Sequence, residues 1–460
     1  MTTALDGRTP AHRMTAPPPD STRLRIRPGI VLALILAGAG AVIGLWWQQT
    51  TVLSGLGDWL TNAGRITGLL AGYAVVVLLA LMARVPALER GAGTDRMTRW
   101  HALGGRYTVS LVVAHALLIT WGYAVSAHTG VVAQGMGFLR GYGDVFLATV
   151  GGSLLVLVGV VSARAARRKL RYETWHLLHL LTYLAIALAF SHQFSAGAQF
   201  AGYRPAQLLW STLYTVVGGL LIWYRLCMPV RQAVRHRLRV LGIRIEGPGV
   251  VSVYLTGRHL AELNAEPGQF FRWRFITKHR WLAANPYSLS APATGETLRI
   301  TVKELGDHSS TMAALAPGTR VFAEGPYGGF TGGLRRRRKV LLIGAGVGIT
   351  PLRALFETLP ANAGDLTLIY RASHPDDLVL EGELDRIAAD RGAVVHYLVG
   401  SREQLGGDPL TADGLSRLVP NLRHHDVYLC GPAGMAAATT RQLRRAGVPR
   451  RHIHHESFEF

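Results

Sequence analysis

The chain has 460 residues, with 49 Lys and Arg against 28 Asp and Glu for a formal net charge of +21. It is too long for one ordinary core and points to two or three domains. The excess charge does not indicate nucleic acid. The arginines gather beside apolar runs, as in "RAARRKLR" (residues 164–171) and "RQAVRHRLR" (231–239), not over a face with groove-reading elements. Two cysteines, Cys227 and Cys430, are too few for an iron–sulfur cluster or a disulfide framework.

Residues 1–27, rich in Pro, Thr, Ser and Arg, read as a disordered cytoplasmic tail. Six apolar stretches follow, at approximately 29–48, 65–85, 101–125, 145–163, 173–194 and 205–226, each long enough to cross a bilayer. The first is too long and too far from the start for a cleaved signal peptide and reads as a span. Basic loops around Arg84, Arg90, Arg96 and Arg99 and over 164–171 alternate with loops almost free of Lys and Arg, where only Arg140 and Arg204 occur. By the positive-inside argument both termini are expected in the cytoplasm, with the spans in the plasma (inner) membrane.

Histidines interrupt these apolar runs. His101 and His115 are fourteen residues apart, a rise of about 21 Å that returns to nearly the same helix face. A second run, "YETWHLLHLLTYLAIALAFSHQF", carries His176, His179 and His192. Imidazoles are costly in lipid and normally face a bundle interior. One alone is most simply interhelical glue. Two helices, each with an inner and an outer histidine, make two stacked sets suited to bis-histidine haem, His101 with His179 and His115 with His192. Ideal geometry resists the second helix, because thirteen residues turn it by about 220°, and it does not choose between His176 and His179.

From Arg235 onward the composition is that of a soluble protein. Strand-like alternation with Gly and Pro punctuation runs to about Gly333 and reads as a small antiparallel barrel. After "RRRRK" come apolar strands separated by helical stretches, the pattern of a parallel α/β domain. "GAGVGITP" (344–351) follows a strand and opens a helix, the context in which a glycine turn holds phosphate. "CGPAGM" (430–435) follows another strand, with Cys430 at the carboxyl end of the sheet, where open α/β folds bind ligands. Arg371, Ser401 and Arg402 stand at strand ends suited to a ribose 2′-phosphate. "VKELGDHSS" (302–310) supplies backbone donors and hydroxyls for a pyrophosphate.

Taken in order, "NPYSLS", "EGPYGGF", "GAGVGITP", "SREQ" and "CGPAGM" resemble the ferredoxin–NADP reductase superfamily, and the fused six-span histidine half resembles the ferric reductase and NADPH oxidase family, over about residues 30–460. The resemblance implies FAD, NADPH and two haem b groups ligated by His101, His115, His179 and His192. The family's Tyr-Glu pair matches Tyr172 and Glu173 and selects His179 over His176. It assigns FAD to Asn285, Tyr287, Ser288, Lys303, Ser309, Ser310 and Phe460, although the flavin motif usually begins with Arg or His where this chain has Asn285. It assigns NADPH to Gly344, Gly346, Gly348, Thr350, Pro351, Arg371, Ser401, Arg402, Cys430, Gly431 and Pro432. Ser288, Cys430 and Phe460 are the residues placed beside the reacting rings.

The expected architecture is therefore a membrane all-α six-helix bundle, followed by an antiparallel β-barrel FAD domain and an α/β parallel-sheet nucleotide-binding domain. The boundaries are 1–27 for the tail, 28–230 for the haem-binding spans, 231–334 for the FAD domain and 335–460 for the NADPH domain. The expected activity is a transmembrane oxidoreductase passing electrons from cytosolic NADPH through FAD and two haems to an external acceptor, a ferric chelate, dioxygen or a redox carrier. Arg65 is placed either to pair with an outer haem propionate or to anchor its helix. The alternative is a haem-free helical anchor that tethers a cytosolic NADPH:flavin reductase.

Overall fold

The computed structural model describes residues 24–50, 53–163, 170, 172–277, 284–304 and 312–457. Ser309, Ser310 and Phe460 lie outside the described residues, as do most of the basic loop 164–171 and the side chains of Tyr172 and Glu173.

The amino-terminal half is helical: α1 (Pro28–Gln48), α2 (Leu56–Met82), a short α3 (Pro86–Ala92), α4 (Thr94–Ser126), α5 (Val131–Gly141), α6 (Gly143–Ser162), α7 (Tyr172–Leu188), α8 (His192–Ser195) and α9 (Arg204–Ile222). A π-turn at Trp223–Cys227 joins α9 to α10 (Met228–His236), which leads into the soluble half. Among the described residues, six helical segments are long and apolar enough to cross a membrane. Helices satisfy their own backbone groups, as lipid requires. Apolar residues all round, rather than on one stripe, mark helices surrounded by lipid and one another.

Helices α2 and α4 pack backbone to backbone. A Cβ on Gly64 would stand 2.9 Å from the amide nitrogen of Ile119, and one on Gly122 would stand 2.6 Å from that of Thr61. Small residues permit this close approach where apolar burial gives little driving force between helices.

The first soluble unit contains β1 (Arg239–Gly247), β2 (Val250–Thr256), β3 (Phe270–Phe275), β4 (Asn285–Ser288), β5 (Thr297–Lys303) and β6 (Val321–Tyr327). A closed barrel is not what forms among the described residues. The strands make two three-stranded antiparallel sheets, ordered β1-β2-β5 and β4-β3-β6, joined only by the bridges Arg239–Arg320 and Leu289–Ile300. Both sheets nevertheless face one core that includes Val253, Leu255, Phe271, Trp273, Leu289 and Ile300.

The second soluble unit is a parallel sheet, built from β7 (Lys339–Ala345), α11 (Ile349–Thr358), β8 (Leu366–Ala372), α12 (Glu381–Arg391), β9 (Val394–Val399), α13 (Ala412–Leu418), β10 (His425–Gly431), α14 (Ala433–Arg445) and β11 (Ile453–Ser457). Strand order is β11-β10-β7-β8-β9. The chain runs outward from β7 on one side, then returns to the other side at β10, so the carboxyl ends of β7 and β10 flank the topological switch point.

The two soluble units meet through Glu383. Its carboxylate takes Arg299 at 2.7 Å and Arg353 at 2.9 Å, with Arg244 at 3.8 Å. Burial pushes its carboxyl upward, but the hydrogen bond from Arg299 and the charges of Arg299, Arg353 and Arg244 outweigh burial and hold it below the usual range. At the amino end of β10, Asp426 is fully buried. It accepts the backbone amides of Arg336 and Arg337 at 2.6 and 2.5 Å, and it meets His452 at 2.9 Å and His454 at 3.3 Å. Burial opposes its charge, and these hydrogen bonds override burial to hold the carboxyl well below the ordinary range.

Both carboxyls therefore titrate lower in the folded chain than in the unfolded one. The stability they contribute is complete above the ordinary carboxylate range and is lost as pH falls through and below it. Thermal unfolding of the soluble half is expected to shift downward from about pH 5 toward pH 3. In Glu383→Ala, about 3 kcal/mol is lost already at pH 7, because Arg299 is left buried without its anion while Arg353 keeps only Glu357, and the acid dependence is shallower.

Candidate functional site

Two histidine pairs form inside the bundle. His101 and His179 have ring centroids 5.9 Å apart, and His115 and His192 have theirs 6.3 Å apart. His101 and His115 share a face of α4, and His179 lies on α7. His176, one turn earlier, is not in the ring contact with His101 that His179 makes; its ring lies beside that of Trp175. The thirteen-residue spacing that an ideal helix resists is met by a break. Helix α7 ends at Leu188, residues 189–191 form a turn, and His192 opens the separate α8. Ser191 in that turn donates to Asp144 at 3.2 Å.

The second ring nitrogen of each histidine is already engaged. Nδ1 faces the carbonyl oxygen of Leu78 in His101 (3.3 Å), of Gly64 in His115 (2.8 Å) and of Ala189 in His192 (2.5 Å), while His179 Nδ1 faces the Ser162 hydroxyl at 3.3 Å. A carbonyl only accepts, so it places the proton on Nδ1 and leaves the Nε2 lone pair for a ligand, the arrangement typical of metal-binding histidine. Trp175 stacks on His179 at 5.2 Å. A Cβ on Gly68 would sit 2.5 Å from His115 Nδ1, so the glycine makes room for the ring.

A metal between two imidazoles, with bonds of about 2.0 Å and ring radii of roughly 1.1 to 1.2 Å, separates the centroids by about 6.3 Å. The observed separations match that width. The two layers stand about 21 Å apart along α4. Among the described residues no group of three or more His, Cys, Asp or Glu gathers into another metal site.

In the first soluble unit, Tyr287 and Ser288 are held on β4, with Phe271 opposite Tyr287 and Phe270 opposite Ser288 on β3. The Trp273 indole donates to the Tyr287 carbonyl at 2.9 Å. Ser288 is 3% exposed, and its hydroxyl has no hydrogen-bond partner among the described residues. A buried hydroxyl without a partner costs about 1–3 kcal/mol, which a flavin ring heteroatom would offset. Burial pushes the Tyr287 hydroxyl up to about 12, so it remains a neutral donor. Asn285 begins the same strand. Lys303 does not stand free for a flavin phosphate, since its ammonium pairs with Asp377 at 2.9 Å.

At the switch point of the parallel sheet, Gly344 is opposite Cys430 in register. Gly346 has φ +52°, in the left-handed region that favours glycine. A Cβ on Gly348 would lie 2.7 Å from the Cys430 carbonyl carbon and 2.9 Å from the Gly431 Cα, so the turn packs directly on the end of β10. Thr350 donates to the Val347 carbonyl at 2.9 Å, and Pro351 is buried in the first turn of α11. Pro432 precedes α14 as its N-cap residue. Two helix amino termini thus open onto one crevice, the geometry that takes a dinucleotide's phosphates.

Arg371 behaves differently from a free strand-end cation. Its guanidinium donates to the carbonyls of Leu398 (3.0 Å), Gly400 (2.5 Å) and Ala372, closing the ends of β8 and β9. Ser401 is tied to Gln404, its amide donating to the Gln404 side chain at 2.6 Å. Arg402 is exposed and pairs with Asp408 at 3.3 Å.

Two family models match the chain: the ferric reductase like transmembrane component over residues 67–190 and the oxidoreductase NAD-binding domain over residues 342–441. Together the two matches are similar in arrangement to the ferric reductase and NADPH oxidase type of architecture. The first match contains His101, His115 and His179, and the second contains both glycine turns. The chain therefore joins a stretch similar to a ferric reductase like transmembrane component to one similar to an oxidoreductase NAD-binding domain.

Among curated proteins it is 35% identical over 205 residues to the ferredoxin reductase component of 3-ketosteroid-9-alpha-monooxygenase of Mycolicibacterium smegmatis, covering 43% of this chain and 56% of that one. It is 32% identical over 236 residues to the flavohemoprotein of Pseudomonas aeruginosa, covering 48% and 58%. The chain thus spans a little over half the length of these relatives. Among solved structures, the flavohem-like FAD/NAD-binding domain of nitric oxide dioxygenase from Vibrio cholerae is 26% identical, with a TM-score of 0.41, over 49% of this chain and 99% of that one.

Proposed function

We propose that the chain is a transmembrane NADPH dehydrogenase that delivers electrons from the cytoplasmic side to an acceptor on the outer face. The observation that carries this reading is the pair of histidine sets, each spaced for one iron and each with Nδ1 committed elsewhere. Bound in these places, FAD would convert a hydride pair into single electrons and two haem b groups would provide the steps across the membrane.

The chain's own residues do the rest. Ser288 presents its hydroxyl and Tyr287 its ring to the flavin, and Gly344, Gly346 and Gly348 with Cys430, Gly431 and Pro432 take the dinucleotide. Arg402 and Ser401 are placed for a ribose 2′-phosphate, with Arg371 bracing the strand ends beneath them. Ser309, Ser310 and Phe460 complete the flavin site in this proposal. The basic loops support this reading, with both termini on the cytoplasmic side of the plasma (inner) membrane.

Each iron would be held by two protein imidazoles, so an acceptor would take electrons without itself binding iron. Inside-out vesicles containing a trapped ferric chelate test the direction. External NADPH is expected to reduce the trapped chelate without oxygen, and reduction confined to external acceptors would favour the tethered-reductase reading. Superoxide formed in the lumen under air would mark dioxygen as a further acceptor.

A further inference from the structure

The surface between the membrane helices and the first soluble unit contains an ionic joint that the electron route does not explain. Glu324 on β6 lies 3.6 Å from Arg225, in the π-turn at the end of α9, and 3.6 Å from Arg272 on β3. Tyr327 donates to the same carboxylate at 2.8 Å, and Arg84, just past α2, places its guanidinium over the Tyr327 ring at 4.5 Å. Gln232 on α10 donates to the Gly325 carbonyl at 2.6 Å. Burial, and then the charge of Glu324, hold the Tyr327 hydroxyl well above the usual phenol range, so it stays a donor at any working pH. Beside these contacts lies a cavity of about 360 Å³, lined among others by Arg84, Tyr224, Gln232, Glu324 and Tyr327.

The joint connects the two halves of the chain. On β3, Arg272 follows Phe271, the register partner of Tyr287, and Phe270 pairs with both Ser288 and Tyr327. Glu324 is therefore shared between the sheet that presents the flavin residues and the π-turn at the end of the last membrane-spanning helix. A π-turn is a common mark of a functional position within a helix, and here it is the turn that carries Arg225.

We infer that Glu324 is a positioning residue that, through Arg225 and Arg272, fixes the flavin-bearing sheet against the inner end of the bundle and so sets the rate at which electrons leave the flavin for the inner histidine pair. The inference rests on the proposed haem and flavin route and adds to it where the route is gated. An exposed ion pair is worth little. This carboxylate is different, being largely buried and shared among three donors, so its loss leaves Arg225 and Arg272 facing each other.

The test uses the full-length protein loaded with both cofactors, in detergent, with Glu324→Gln, Glu324→Asp and, on the membrane side, Arg225→Gln. Stopped-flow mixing with NADPH without oxygen follows flavin bleaching and haem bands separately. Flavin bleaching is expected to stay within two-fold of the parent in all three, while appearance of reduced haem slows at least ten-fold in Glu324→Gln and Arg225→Gln and less in Glu324→Asp. Hydrogen exchange, which needs no turnover, is expected to rise in α10 and β6 of the first two. Haem reduction at the parent rate with unchanged exchange would overturn the inference while leaving the electron route intact. Absence of haem bands in the parent would instead remove the route on which it rests. Equal slowing of flavin bleaching and haem reduction would make Glu324 a general structural residue and would also overturn it.

Discussion

Replacing His115 with alanine is expected to reduce the haem content from two groups to one per chain and to lower electron delivery to an outer acceptor at least 100-fold. His115 has no substitute nearby, since the ring it faces is His192 and its own Nδ1 is held by Gly64. The inner pair, about 21 Å away on the same helix, keeps its geometry, so NADPH oxidation with a soluble acceptor such as ferricyanide should stay within two-fold of the parent. Pyridine haemochrome analysis gives the stoichiometry and the two acceptor assays give the split. His101→Ala, by contrast, is expected to strand the electrons at the flavin, leaving the outer group oxidised under NADPH but reducible by dithionite. Parent-like delivery by His115→Ala would show that the outer pair is helix glue rather than a step in the path.

The second large effect is expected at Gly348. An added methyl would lie 2.7 and 2.9 Å from backbone atoms of Cys430 and Gly431, and β10 cannot retreat, because it is paired with β7 on one side and β11 on the other. The glycine turn must then shift away from the crevice and carry its backbone donors with it. Gly348→Ala should raise the KM for NADPH at least ten-fold, about 1.4 kcal/mol of binding. The dithionite-reduced haem spectrum should not change, because the bundle is untouched. An unchanged KM would mean that the nucleotide does not use this turn.

Much of this organisation is legible in the sequence because it depends on local periodicity. His101 and His115 declare a shared face through a fourteen-residue spacing. Strand, glycine turn and helix announce the nucleotide crevice at residues 340–358 in the same way. The sequence pairs His192 with His115, but the break that makes the pairing possible is not legible, because it falls at Ala189, Phe190 and Ser191, which include neither Gly nor Pro. No breaker residue marks the place, and the turn is fixed by tertiary partners such as Asp144.

Other features depend on partners distant in sequence. Arg371 has the sequence context of a phosphate ligand, yet the carbonyls it binds arrive from β9, more than twenty-five residues later. Lys303 is likewise taken by Asp377 from the other soluble unit. Barrel closure depends on which strand edges meet, and alternation within a strand carries no information about that. Glu324 and Glu383 have no local signature either. Their arginines come from helices, strands and a π-turn scattered across the chain, so only the fold shows what each carboxylate holds together.

The most direct test of the central claim is the visible spectrum of the purified protein in detergent, recorded before and after NADPH is added without oxygen. The expected result is bleaching of a flavin band together with sharp reduced bands of six-coordinate haem b at two groups per chain. A flavin that bleaches in a preparation reconstituted with haem but showing no haem bands would contradict it, and would leave the paired histidines as structural contacts between helices.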